Sequence, residues 1–106
     1  MPPQAKIAFM ALVFDADPEK HRCTMTTGLL DLTIQFVANM NQAIDMAKQL
    51  ADQGCIAIEL CGGFGHSMTG RIADAVRGKA AVGSVRFDIH PALGKSSDEV
   101  FGGLRG

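Results

Sequence analysis

Cys55-Ile56-Ala57-Ile58-Glu59-Leu60-Cys61-Gly62-Gly63-Phe64-Gly65-His66 runs from an apolar strand pattern through a glycine-rich turn toward a helical pattern. Short apolar runs bounded by turn residues read as buried strands. A strand that ends in such a turn before a helix is the start of a βαβ unit. Ile56, Ile58 and Leu60 would share one face of this strand, and Cys55, Ala57 and Glu59 the other. In open α/β sheets, ligands gather at the carboxyl ends of parallel strands. The turn at 61–65 is therefore where a site is expected.

Working outward, residues 6–14 (Lys-Ile-Ala-Phe-Met-Ala-Leu-Val-Phe) are continuously apolar after Lys6, the pattern of a central strand covered on both faces. Asp15, Asp17 and Pro18 end it. Residues 21–27 and 32–37 read as an antiparallel pair, with Leu32, Ile34 and Phe36 on one face. Asn39 with Gln42 three positions later forms a capping-box pattern. The helix that follows should turn Met40, Ala43, Ile44, Ala47, Leu50 and Ala51 to the core, leave Gln42, Asp45 and Gln49 in solvent, and stop before Gly54. A second helix, capped by Ser67 or Thr69 and carrying Ile72, Ala73, Ala75 and Val76 on its apolar side, should run to about Arg77, with Gly78 as its stop. A third parallel strand is expected over residues 81–88. The fold class is α/β: a single small domain over 1–106, with a mixed, mostly parallel sheet flanked by helices. The early antiparallel pair leaves an α+β sandwich of ferredoxin-like type as the alternative. Residues 92–106 form a tail in which Val100, Phe101 and Leu104 either anchor an interface or simply fray.

Composition narrows the partners. The chain has 106 residues, 47% of them hydrophobic, and a net charge of −1. Neutral balance, no basic run and no Trp or Tyr argue against nucleic acid. No apolar run is long enough to span a membrane. Cys23, Cys55 and Cys61 are an odd set without metal-hairpin spacing, which suits a reducing cytoplasm better than a disulfide scaffold. Cys23, Cys55, Met25, Met40, Met46 and Met68 are expected to fill the core.

The three parallel-strand ends gather the candidate chemistry. Gly62, Gly63 and Gly65, with Cys61 and Phe64, would present backbone N–H groups to an anion, or simply make a tight turn. Glu59 is an acid inside an apolar strand; buried, it would need a partner such as Arg86. That pair would orient an anion, let Glu59 move a proton, or serve only as a structural ion pair. His66 can transfer protons near neutral pH. Asp15, Asp88 and His90 would complete the edge. Cys61 is placed to be nucleophilic or merely to line a packed strand end. No close-spaced histidine pair supports a metal centre, no lysine follows the glycines as in a phosphate-binding loop, and no cofactor is assigned. Pro2 can expose an N-terminal amine, but Pro3 follows it and the first strand starts late.

Residues 6–10, Asp15-Ala16-Asp17-Pro18, Glu59-Leu60-Cys61-Gly62-Gly63-Phe64-Gly65 and Val85-Arg86-Phe87-Asp88 together resemble a family of short bacterial proteins, the domain of unknown function DUF6506. The resemblance spans residues 6–90. It implies a compact α/β domain and no established activity, so it transfers no catalytic roles. The expected function is a small cytoplasmic enzyme using acid/base chemistry on a compact anionic metabolite. In it Glu59, His66, Arg86 and Asp88 would act, and Asp15, residues 61–65 and His90 would bind. The alternative is a non-catalytic metabolite-binding or homo-oligomeric interaction module.

Overall fold

The computed structural model describes residues 5–89, 91 and 94. In chain order the elements are β1 (Ala5–Leu12), β2 (Arg22–Thr26), β3 (Leu30–Val37), α1 (Met40–Asp52), β4 (Cys55–Leu60), α2 (His66–Ala75) and β5 (Ala81–Ser84). They build a single small α/β domain around one five-stranded sheet of order β2-β3-β1-β4-β5. β1 runs parallel to β3 and β4, and β4 parallel to β5; β2 is the antiparallel edge strand. The β2–β3 pair is tied across by Thr24 Oγ1 and Thr33 Oγ1 at 2.9 Å, and Thr26 Oγ1 donates to Asp31 Oδ1 at 2.8 Å.

Both helices pack on one face. Ala8 and Met10 of β1, Val37 of β3, and Ile58 and Leu60 of β4 share a core with Ala43, Ala47 and Leu50 of α1 and with Met68 and Ile72 of α2. The reason lies in the strand order. The β3-to-β4 and β4-to-β5 connections both step in the same direction across the sheet. Right-handed crossovers then place both helices on the same side. The expectation that both faces of β1 are covered holds on the helix side alone among the described residues: Ile7, Phe9 and Ala11 lie half-buried on the other face, which carries neither described helix.

α1 follows its sequence signals. Asn39 Oδ1 accepts from Gln42 N at 2.9 Å, and Gln42 Oε1 accepts from Ala38 N at 2.7 Å. The reciprocal bond lands one residue earlier than in a standard capping box. Gly54 ends the helix at φ +103, a conformation that costs side-chain-bearing residues. Met46 joins the buried stripe, while Met40 and Ile44 are half-buried.

Elsewhere the boundaries shift. α2 begins at His66, capped by Gly65 with no side-chain bond. Ser67 and Thr69 lie inside the helix, and the Thr69 hydroxyl is buried without a partner among the described residues. Val76 closes α2, and Gly78 follows at φ +82. β5 stops at Ser84 because its neighbour turns away: Val85 N donates to Leu60 O at 2.9 Å, and beyond it β4 has become the glycine turn. A register shift between Lys6 and Ile7 in the β1–β4 ladder breaks the two-residue period at the start of β4. Cys55 is therefore buried while Ile56 is exposed. Cys23 and Met25 are exposed on the edge strand rather than packed in the core. Among the described residues, no helix is long and apolar enough to cross a membrane.

Asn39→Ala removes the cap acceptor of α1 and should cost about 1 kcal/mol, read as a lower urea midpoint with an unchanged slope.

Candidate functional site

The four parallel strands end along one edge of the sheet, and the expected residues fall on or near it. The glycine turn there is part of the packed interior. Gly62, Gly63, Phe64 and Gly65 are buried, and the Phe64 side chain sits in the core at 0% exposure. Cys61 Sγ accepts from Leu12 N and from Gly63 N, each at 3.4 Å, and so seals the seam between β1 and β4. A methyl group on Gly63 would meet Cys61 Sγ at 3.4 Å and Leu12 Cβ at 3.5 Å. Those contacts show how little space separates this backbone from its neighbours.

Glu59 and Arg86 take different directions. Glu59 is exposed on the helix-free face, in register with Phe9 and Gly83. It is therefore no buried carboxylate in need of an ion-pair partner. Arg86 Nη1 donates to Phe64 O at 3.4 Å, toward the residue whose ring fills the core on the helix side. No ion pair joins Glu59 and Arg86 among the described residues; the two pairs found there are Arg77–Asp74 and Lys79–Asp52, both on the surface. Asp15, His66 and Asp88 are exposed. Asp88 Oδ1 accepts from Ile89 N at 2.7 Å, a local turn bond. His90 and, apart from residue 94, the tail at 92–106 lie outside the described residues. No cluster of three His, Cys, Asp or Glu suited to a metal ion occurs among the described residues.

A larger concavity lies on the other flank. α1 crosses from β3 to β4, so β2 projects beyond the helix layer and its helix-side residues remain uncovered. A cleft of about 490 Å³ opens there, lined by Asp17, Pro18 and Glu19 of the β1–β2 loop, Arg22 of β2, and Gln42, Asp45, Met46 and Gln49 of α1. The last four stand at i, i+3, i+4 and i+7, one stripe of a helix. By helical periodicity alone the polar members of this stripe belong to solvent. Their signal was a methionine among polar residues, together with an arginine opening an edge strand.

Local hydrogen bonds hold the wall of this cleft. Asp17 O accepts from Lys20 N at 3.0 Å and from His21 N at 2.8 Å. Asp17 N donates to His21 Nδ1 at 2.8 Å, and Glu19 N donates to Asp17 Oδ1 at 3.0 Å. Beneath the loop, fully buried Gln35 donates through Nε2 to Pro18 O at 2.8 Å and to Phe36 O at 3.0 Å. A buried amide committed to a loop carbonyl fixes that loop to the sheet. A second cleft of about 180 Å³ continues along the same flank, lined by Lys6, Arg22, Thr24, Asp31, Thr33 and Cys55 among others. Burial pushes the Cys55 thiol up from its ordinary range, partly opposed by Lys6 and Arg22.

The chain matches, over residues 5–98, the model of a family of unknown function, DUF6506. It belongs to that family. No curated protein and no solved structure gives a match to the chain.

Phe64→Ala tests the structural role of the turn. Deleting a fully buried aromatic ring should cost about 3–5 kcal/mol. That is a large share of the roughly 5–15 kcal/mol typical of a domain, and it would be read as a strongly lowered melting temperature without any ligand present.

Proposed function

We propose that the protein is a non-catalytic binding module for a compact polar metabolite that carries both an anionic group and an ammonium group, held in the cleft between the β1–β2 loop and α1. The observation that carries this reading is the composition of that cleft. At about 490 Å³ it has the size of a small-molecule site, with three carboxylates (Asp17, Glu19, Asp45) around one guanidinium, Arg22, and the amides of Gln42 and Gln49. Arg22 suits a carboxylate or phosphate, and the acids suit an ammonium beside it. The loop pinned by Gln35 and His21 supports the same reading, because a preorganised wall loses less entropy on binding. Binding fits better than catalysis: Glu19 and Asp45 are exposed, and a general acid or base is usually tuned by burial or a close charge.

A second reading keeps acid/base chemistry on an anionic metabolite at the strand edge. Its support is Arg86, which makes one hydrogen bond among the described residues, to Phe64 O. An anion at that edge would meet the other donors of the guanidinium.

Calorimetric titration with compact zwitterions, simple amines and simple carboxylates separates the two. The cleft reading expects saturable binding of zwitterions. Arg22→Ala and Asp45→Ala should each weaken it about tenfold, roughly 1.4 kcal/mol, while Asp74→Asn on α2 leaves it unchanged. Binding of plain carboxylates that survives Arg22→Ala and is lost in Arg86→Ala would sink the cleft reading in favour of the strand edge.

A further inference from the structure

The two faces of the sheet are patterned against expectation. On β3, the residues facing the helix layer are Asp31, Thr33, Gln35 and Val37, while Leu30, Leu32, Ile34 and Phe36 point to the side without helices. On β2, Arg22, Thr24 and Thr26 share the helix side, and Cys23 and Met25 point away, Met25 at 69% exposure. β1 adds Ile7, Phe9 and Ala11 to that face, and β4 adds Ala57. A sheet with one face in water normally alternates the other way, apolar inward and polar outward. Here the more apolar rows of β2 and β3 face outward. Among the described strand residues of this face, Glu59 is the charged exception.

We propose that this face is the interface of a homodimer in which two copies pack sheet on sheet. The area approaches what a dimer needs. The four strands that overlap about a central axis, β2, β3, β1 and β4, spaced about 4.8 Å apart with a rise of about 3.3 Å per residue, give a face on the order of 400 Å² in plan, and more once side-chain relief is counted. A standard interface buries about 800 Å² per partner, and an apolar patch of this size is at the upper end for a monomer. A nearly flat apolar surface is complementary to itself, as a two-fold interface requires, and stacked sheets meet at about 10 Å.

Charge selects the axis. Cys23, Ile34, Phe9 and Glu59 stand in one register row across β2, β3, β1 and β4. A two-fold axis in the interface plane, parallel to the strands and between β3 and β1, reverses this row onto itself. Ile34 then lies over Phe9, and Glu59 over Cys23 and the adjacent His21. An axis along β1 would instead set Glu59 over Ile34 and strand a carboxylate on hydrocarbon. His21 is suited to the role. Its ring lies against Phe36 with centroids 6.3 Å apart, and its Nδ1 accepts from Asp17 N at 2.8 Å. The neutral tautomer therefore carries its proton on Nε2, available to donate to a carboxylate.

The test measures mass in solution for the whole chain and its variants. The wild-type protein should sediment at twice the chain mass. Met25→Lys and Leu32→Lys should give monomers with unchanged circular dichroism; because Met25 is already exposed, its substitution leaves the monomer fold intact. In Glu59→Cys, a short bis-maleimide should link the introduced thiol to Cys23 of the other copy, identified by peptide mapping. A monomeric wild type overturns the proposal. So does a dimer that is lost when residues 92–106 are removed, since the tail would then make the contact. A dimer mass unaffected by Met25→Lys and Leu32→Lys overturns it as well. These measurements are independent of ligand binding at the β2 cleft.

Discussion

The handedness of the two crossovers governs the rest of the structure. A right-handed connection places its helix on one side of the sheet for each direction of travel. Here both connections travel the same way, from β3 past β1 to β4 and on to β5. Both helices therefore lie on one face, and their buried stripes close over Ala8, Met10, Ile58 and Leu60. A doubly wound sheet reverses direction partway and covers both faces; this chain does not.

Two features follow from that choice. The helix layer is centred over β1 and β4, so the antiparallel edge strand β2 overhangs it. The overhang makes the cleft at Arg22, and the loop entering β2 supplies its outer wall. Gln35 joins the two: a polar side chain in the interior row of β3, it donates to Pro18 O and sets the loop height. The second feature is the apolar face that neither described helix covers. One topological fact thus yields a polar recess on one side and an apolar plane on the other.

Much of the local structure was legible in the chain. Asn39 and Gln42 marked the start of α1 because the first helical N–H groups need acceptors. Gly54 marked its end because the turn needs a positive φ. The alternation of Leu32, Ile34 and Phe36 marked β3 as a strand. The same alternation could not say which face was inside, since a two-residue period identifies a row and not what covers it. Phe64 shows the matching difficulty at the site. Set among glycines at a strand end it reads as a ligand contact, yet its ring drops into the core. In sequence Glu59 reads as a buried acid because its neighbours there are apolar; its neighbours in register are Phe9 and Gly83, on the face that neither described helix covers. In sequence Gln42, Asp45 and Gln49 read as a solvated helix face, which they are, except that β2 and its loop stand opposite them.

Spacing and residue type alone determined the elements and the antiparallel start, and favoured an α/β class over an α+β sandwich, because caps, periods and turn conformations are local constraints. The order of strands across the sheet, the side on which the helices close, and hence the location of the recess and the bare face were decided only in the folded chain. Those depend on which strands become neighbours, and contacts between residues distant in sequence leave no periodic trace along it.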